Sequence, residues 1–149
     1  MQAEVKLRGH HLLCILPYIG AGYTPDFIDH FDDAIARLNR GARIRIVRGP
    51  DSLCASLRRG GMIFCEHAKT CRKASVRNRD ALALKDISRV LRRKPLKIGD
   101  VFALTRKDIR YLRKLFAFGA IRRACTSCPW HGFCSTIADK NFAGTKLVV

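Results

Sequence analysis

Three of the seven cysteines fall within ten residues, in the stretch C-T-S-C-P-W-H-G-F-C that holds Cys125, Cys128 and Cys134. A two-residue spacing lets two sulfurs reach one metal from a tight turn, and Pro129 keeps regular helix from running through the loop. A second group, Cys54, Cys65 and Cys71, follows a looser C-x10-C-x5-C pattern, and Cys14 stands apart in the apolar run at residues 12–16. Neither group supplies four thiols. Each needs a partner from elsewhere in the chain, and each can be the other's. Seven is an odd count, which argues against a fully paired disulfide framework, and clustered thiols in a reducing compartment are more often metal ligands.

Zinc takes four ligands in a tetrahedron, whereas an iron–sulfur cluster takes four cysteines at irregular spacing, often with one remote in sequence. The pattern matches neither the paired C-x2-C zinc ribbon nor the compact ferredoxin run, so spacing alone leaves both metals open. Two features favour iron–sulfur. Phe64, Trp130 and Phe133 sit beside cysteines, where apolar cover limits solvent access. Arg58, Arg59, Lys69, Arg72, Lys73, Arg122 and Arg123 crowd the same loops, and nearby cations stabilise an anionic thiolate cluster, although they would also help a zinc–thiolate site.

The expectation is a small cytoplasmic protein carrying one [4Fe–4S] cluster, in a redox, electron-transfer, sensing or structural role. Cys125, Cys128 and Cys134 supply three ligands, and Cys54, Cys65, Cys71 or Cys14 supplies the fourth. The alternative is a zinc-stapled basic module that binds nucleic acid or an acidic protein partner. Composition favours core packing for Cys14, since a free cysteine in an apolar run behaves as a small hydrophobe. His67, between Cys65 and Cys71, is a reserve ligand. His10 and His11 are adjacent and diverge by about 100° on a helix. One is therefore read as packed and the other as a candidate ligand or proton donor. His131 reads as a loop residue and Trp130 as packing over the site. No Ser/His/Asp arrangement, P-loop or G-x-G-x-x-G is visible, so an enzymatic reading has no motif behind it.

The elements that must position these residues fit one domain over residues 1–149, since the length suits a single core and 48% of residues are hydrophobic. The predicted class is α+β and predominantly helical, with two cysteine-rich loops brought together around a metal site. Residues 9–17 predict a short helix that stops near Pro17. Thr24-Pro25-Asp26 predicts a helix start, with Phe27, Phe31, Ile35 and Leu38 inward and a stop at Asn39-Arg40-Gly41. Ile44 and Ile46 alternate as in a strand. A helix over about residues 76–92, capped by Ser75, is followed by one over about 106–118 with Thr105 and Asp108 as a capping box and Gly119 as its stop. An antiparallel helix pair would carry the two cysteine loops to one end of the molecule. A further short helix is expected near residues 134–140.

The net charge of +17 is uneven: residues 1–50 carry +2, residues 51–100 carry +8 and residues 101–149 carry +7. Such a charge attracts nucleic acid, acidic proteins or anionic lipid, or simply faces solvent. With no recognised nucleic-acid-reading module, Arg89, Arg92, Arg93, Lys94 and Lys97 read as a solvated face, and Arg77, Arg79 and Asp80 as a local ion pair. No segment has the length of a membrane span, and the N-terminal run lacks a cleavage site, so no signal peptide is expected.

Five ordered motifs carry a resemblance: R-G-H-H-L-L-C at residues 8–14, G-x-G-Y at 20–23, G-P-D-x-x-C at 49–54, V-R-x-R-D at 76–80 and C-x-x-C-x-W-x-x-x-C at 125–134. Over nearly its whole length the chain resembles an uncharacterised family of small bacterial and archaeal proteins regarded as iron–sulfur-binding. The resemblance strengthens Cys14, inside the first motif, as a candidate ligand beside its packing role. It also exposes a departure. Many members read C-x-x-C-P after the G-P-D motif, where this chain has Leu57 in place of the second thiol and Cys65 further on.

Overall fold

Residues 4–21, 25–48, 51–53, 58–59, 62–63, 74–91, 94–126, 128 and 130–148 are described by the computed structural model of the chain. Its longest apolar stripe is on the helix Pro25–Asn39 (α2), where Phe27, Phe31, Ala34, Ile35 and Leu38 are buried. Their spacing puts all five on one side of a 3.6-residue turn. The helix ends as the sequence predicts. Gly41 takes φ +94°, its N–H reaches the Leu38 carbonyl, and the Ala42 N–H reaches that of Arg37. This pair of bonds closes orphan carbonyls of the last turn, and its left-handed residue favours glycine.

The sheet is small. Val5–Leu7 (β1) pairs in parallel with Ile44–Ile46 (β2), with Val5 opposite Ile44 and Leu7 opposite Ile46. A parallel pair needs a long crossover, which the helix His11–Cys14 (α1) and α2 provide. Val101–Phe102 (β5) closes the other edge antiparallel to β2. Apart from this sheet, Arg58–Arg59 (β3) pairs antiparallel with Met62–Ile63 (β4). Strand β2 is the one the sequence predicts. Strands β1 and β5 are added by pairing, because two or three residues carry too little pattern to announce themselves.

Two helices build the remaining wall. Ala74–Val90 (α3) buries Val76, Ala83 and Ile87 as expected, together with Asp80 and Asp86. It starts at Ala74, so Ser75 lies within it and is not the residue that precedes it. Arg106–Ala117 (α4) has the expected capping box: the Thr105 side chain accepts the Asp108 N–H, and the Asp108 carboxylate accepts the Thr105 N–H. Ile109, Leu112 and Phe116 are its buried stripe. Gly119, at φ +79°, ends it with the same paired bonds seen after α2. The last helix, His131–Asp139 (α5), begins inside the cysteine stretch and packs on α4.

The class is α+β in one small domain, with five α-helices and a three-stranded sheet among the described residues. Leu147 is buried in the same core, and Asn39 of α2 holds the backbone of Lys146 and Val148. No described helix is long and apolar enough to cross a membrane.

Candidate metal centre

Helix α1 is only four residues long, where residues 9–17 were expected to be helical, and four residues cannot hold a helix by propensity. Tertiary bonds hold it. Arg8, 1% exposed, lays its guanidinium on Asp80 of α3, with Nη2 to Oδ2 at 3.0 Å and Nε to Oδ2 at 3.1 Å. Asp80 also accepts the His10 N–H at 3.0 Å and meets His10 Nδ1 at 2.6 Å. The expected local pairing of Asp80 with Arg77 or Arg79 is replaced by these bonds from the opposite end of the chain. Asp51 makes the matching anchor: it accepts the Arg8 N–H at 2.8 Å and meets His11 Nδ1 at 2.5 Å. Between them sits Gly9, where a Cβ would lie 2.3 Å from the Asp80 carbonyl oxygen. The residue is glycine because α1 and α3 touch backbone to backbone there.

Helix α3 also fastens the turn that carries the first clustered cysteine. Arg79 Nε donates to the Ala124 carbonyl at 2.8 Å, and Arg123 pairs with the fully buried Asp86 through Nη2 to Oδ1 at 2.7 Å. The turn Arg123–Cys125 thus lies against α3. From it the chain bends back: the Cys128 N–H reaches the Cys125 carbonyl, the His131 N–H that of Cys128, and the Cys134 N–H that of Trp130.

The outcome is a cavity of about 140 Å³ with Cys14, Cys125, Cys128 and Cys134 in its wall. His10, His11, Arg79, Arg122 and Trp130 also line it, with Phe27, Phe31 and Phe116 among the apolar cover. Cys14, which composition reads as a packing residue, therefore shares a space with the three clustered thiols. The two histidines also face this one cavity, against the expectation that adjacent residues would point apart. Each ring is drawn by its own carboxylate, and the two meet edge to face at 4.5 Å. Cys54, Cys65, Cys71 and His67 lie outside the described residues. Among the described residues, no three His, Cys, Asp or Glu side chains stand close enough to grip a single metal ion. All four described cysteines are free thiols.

Burial dominates the electrostatics. It pushes the Cys14 thiol well above its ordinary pKa, and Cys128, Cys125 and Cys134 push it further. Burial likewise raises Cys134, to about 11, with Cys128 adding and Arg122 opposing. Cys125 is raised by burial and pulled back by the Arg122 guanidinium beside it. His10 is lowered to about 4 by burial and then by His11, with Asp80 resisting. At neutral pH His10 is therefore uncharged, with its Nδ1–H donating to the Asp80 carboxylate and Nε2 left as a ligand or base atom. Burial alone would raise Asp80, but bonds from His10 and Arg8 outweigh it and hold the carboxyl well below the usual range.

One wall group lacks a partner. Arg122 gives Nη1 to Ser135 and Nη2 to the His131 carbonyl and stacks on Phe116 at 4.3 Å, yet its buried Nε has no bond. No other buried side-chain polar atom is left so among the described residues. An unpaired buried donor costs about 1–3 kcal/mol. The sequence names Arg122 as one cation near the thiols. It gives Asp80 only a local pairing and assigns no role to Arg8, Asp51 or Asp86, because their partners lie far along the chain.

Residues 22–134 match the model of a family described as proteins of unknown function (DUF1284). Neither a curated protein nor a solved structure matches the chain.

Proposed function

The chain belongs to the DUF1284 family, whose description assigns no activity, and we propose from its cavity that it is an iron–sulfur protein holding one cluster, [4Fe–4S], on Cys14, Cys125, Cys128 and Cys134. One observation carries the reading: four thiols from two distant parts of the sequence line one cavity. Two others support it. The cavity is roughly ten times the ~15 Å³ that a single water needs, so it suits a group of several atoms. The Arg122 guanidinium bonds to the Cys125 sulfur and keeps its buried Nε without a partner, a donor left for an anionic sulfur.

When bound, such a cluster would take up and release an electron at a potential set by burial and by hydrogen bonds to its sulfurs. The protein's own groups would do the rest. Arg8, Asp80 and Asp51 hold α1 so that Cys14 faces the other thiols. Arg79 and Arg123 hold the Cys125 turn. Phe27, Phe31, Phe116 and Trp130 exclude water, and His10 presents a neutral imidazole to the same space. Redox exchange with an acidic protein partner fits the net charge of +17.

Anaerobic purification followed by iron, acid-labile sulfide and zinc analysis tests the reading. A brown protein with near-equal iron and sulfide is expected, and Cys14→Ser or Cys128→Ser should lose most of both. A colourless protein with one zinc and no sulfide would replace it with the zinc-stapled module. Full iron retention in Cys14→Ser would move the fourth ligand to Cys54, Cys65 or Cys71.

A further inference from the structure

Some cations of the described surface are engaged, and others face solvent. Arg45 lies on Glu4, Arg89 and Arg123 on Asp86, Lys146 on Asp32, and Arg37 on Asp33 and the Glu4 carbonyl. The outer side of α4 is different. Opposite its buried stripe of Ile109, Leu112 and Phe116 run Lys107, Arg110, Tyr111, Lys114 and, just past the helix end, Phe118. All five are exposed, Tyr111 by 45% and Phe118 by 76%. Among the described residues, none of their side chains makes a hydrogen bond, ion pair or ring contact. The only acid of α4, Asp108, is committed to the capping box at its start.

At 3.6 residues per turn, positions 107, 111, 114 and 118 follow one another along a single face, over about 16 Å. Cation and aromatic ring alternate along it, with Arg110 and the exposed Arg106 on its flank. A ring left 76% exposed forfeits its share of burial, and a like-charged row repels itself. We propose that this face of α4 binds single-stranded nucleic acid, with Lys107, Arg110 and Lys114 on phosphates and Tyr111 and Phe118 stacked on bases. Alternating positive charge and flat apolar rings is the combination that recognises a strand whose bases are unpaired. In a duplex the base faces are covered by stacking, which would leave both rings idle. An anionic membrane fits less well, because the apolar face that would enter lipid is already spent on the core. The inference does not depend on which metal the cavity holds.

Fluorescence anisotropy of the whole purified chain tests it, using a labelled mixed-sequence single strand of about 20 nucleotides, its duplex and phosphatidylserine-containing vesicles. Binding should be measurable at about 50 mM salt and weaken with a log–log slope of about −2 to −3, for three or four phosphate contacts on a single strand. Tyr111→Ala with Phe118→Ala should weaken it about tenfold or more. Lys107→Glu with Lys114→Glu should do at least as much, since both contacts become repulsive. Melting temperature and metal content, unchanged in both variants, show that only the surface was altered. No binding at low salt overturns the proposal. So does wild-type affinity in both variants, duplex binding as tight as single-strand binding, or capture by vesicles without capture of the oligonucleotide.

Discussion

Replacing Asp80 by Asn tests whether the knot around Gly9 holds the site together. The change keeps the shape of the side chain but removes its charge and turns one acceptor oxygen into a donor. That NH₂ would meet either Arg8 Nε and Nη2, which now donate to Oδ2, or the His10 N–H and Nδ1, which now bond to Oδ1. The Arg8 side chain is 1% exposed and that of Asp80 8%, so water cannot take over. Removing one partner of a buried pair costs about 3–5 kcal/mol, because the other charge stays behind. Against a total stability of about 5–15 kcal/mol this is a large fraction. For a chain of this size it corresponds to a fall of roughly 6–20 °C in Tm. Urea unfolding followed by circular dichroism reads it, with variants compared at equal metal content because any bound metal would add its own stability. The double variant Arg8→Met, Asp80→Leu removes both charges together and should be less damaged than Asp80→Asn alone. A loss below about 1 kcal/mol in Asp80→Asn, or strictly additive effects of the two positions, would refute the reasoning.

Three further outcomes follow from the same geometry. His10 titrates near 4 in the folded chain against 6.5 as its ordinary value. The unfolded chain therefore takes up the proton first: stability is complete above pH 6.5 and is lost as pH falls toward 4, by up to about 3 kcal/mol, and His10→Gln should flatten that part of the urea-midpoint profile. Gly9→Ala places a Cβ 2.3 Å from the Asp80 carbonyl oxygen and should destabilise by at least about 2–3 kcal/mol; a thermal melt unchanged within about 1 kcal/mol would mean that the helices part easily. If the cavity holds a cluster, Arg122→Gln should retain its iron while lowering the reduction potential in a redox titration, since a cation and a donor beside the sulfurs favour the reduced, more negative state; an unchanged potential would place Arg122 outside the cluster's field.

Local chemistry was legible wherever it was written within a few residues. The capping box at Thr105 and Asp108, the stops at Gly41 and Gly119, and the stripe Phe27, Phe31, Ile35 and Leu38 each depend on near neighbours, and each forms as read. The pairings that build the cavity were not legible. Arg8 meets Asp80 across 72 positions, and His11 meets Asp51 across 40. No periodicity links such residues, so R-G-H-H, G-P-D and V-R-x-R-D could be seen as motifs but not as one knot. The placement of the histidines failed for a related reason. Helical geometry separates adjacent side chains by about 100°, but α1 is so short that two carboxylates, and not the helix, decide where the rings go. Cys14 was half legible. Its apolar neighbours argued for packing, and only its motif argued for the site.

The position of α3 explains why the thiols and the fold belong together. Its Asp80 holds the segment that carries Cys14, while its Arg79 and Asp86 hold the turn that carries Cys125. One rigid helix therefore sets the distance between the two ends of the chain that line the cavity. Asp51, two residues before the buried Leu53, ties α1 to residues 51–53 as well. Each of these ties buries a charge, and a buried ion pair adds little stability over an apolar contact of the same size. What it adds is position: an arginine fork on a carboxylate fixes direction as well as distance. A cavity held this way can keep its thiols together against the repulsion that their ionisation would bring. If the cavity holds a metal, its release should leave α1 and α3 joined and loosen the thiol-bearing turn first, as read by amide hydrogen exchange, because that turn is anchored through the half-exposed Arg123 while the α1 knot is sealed from water.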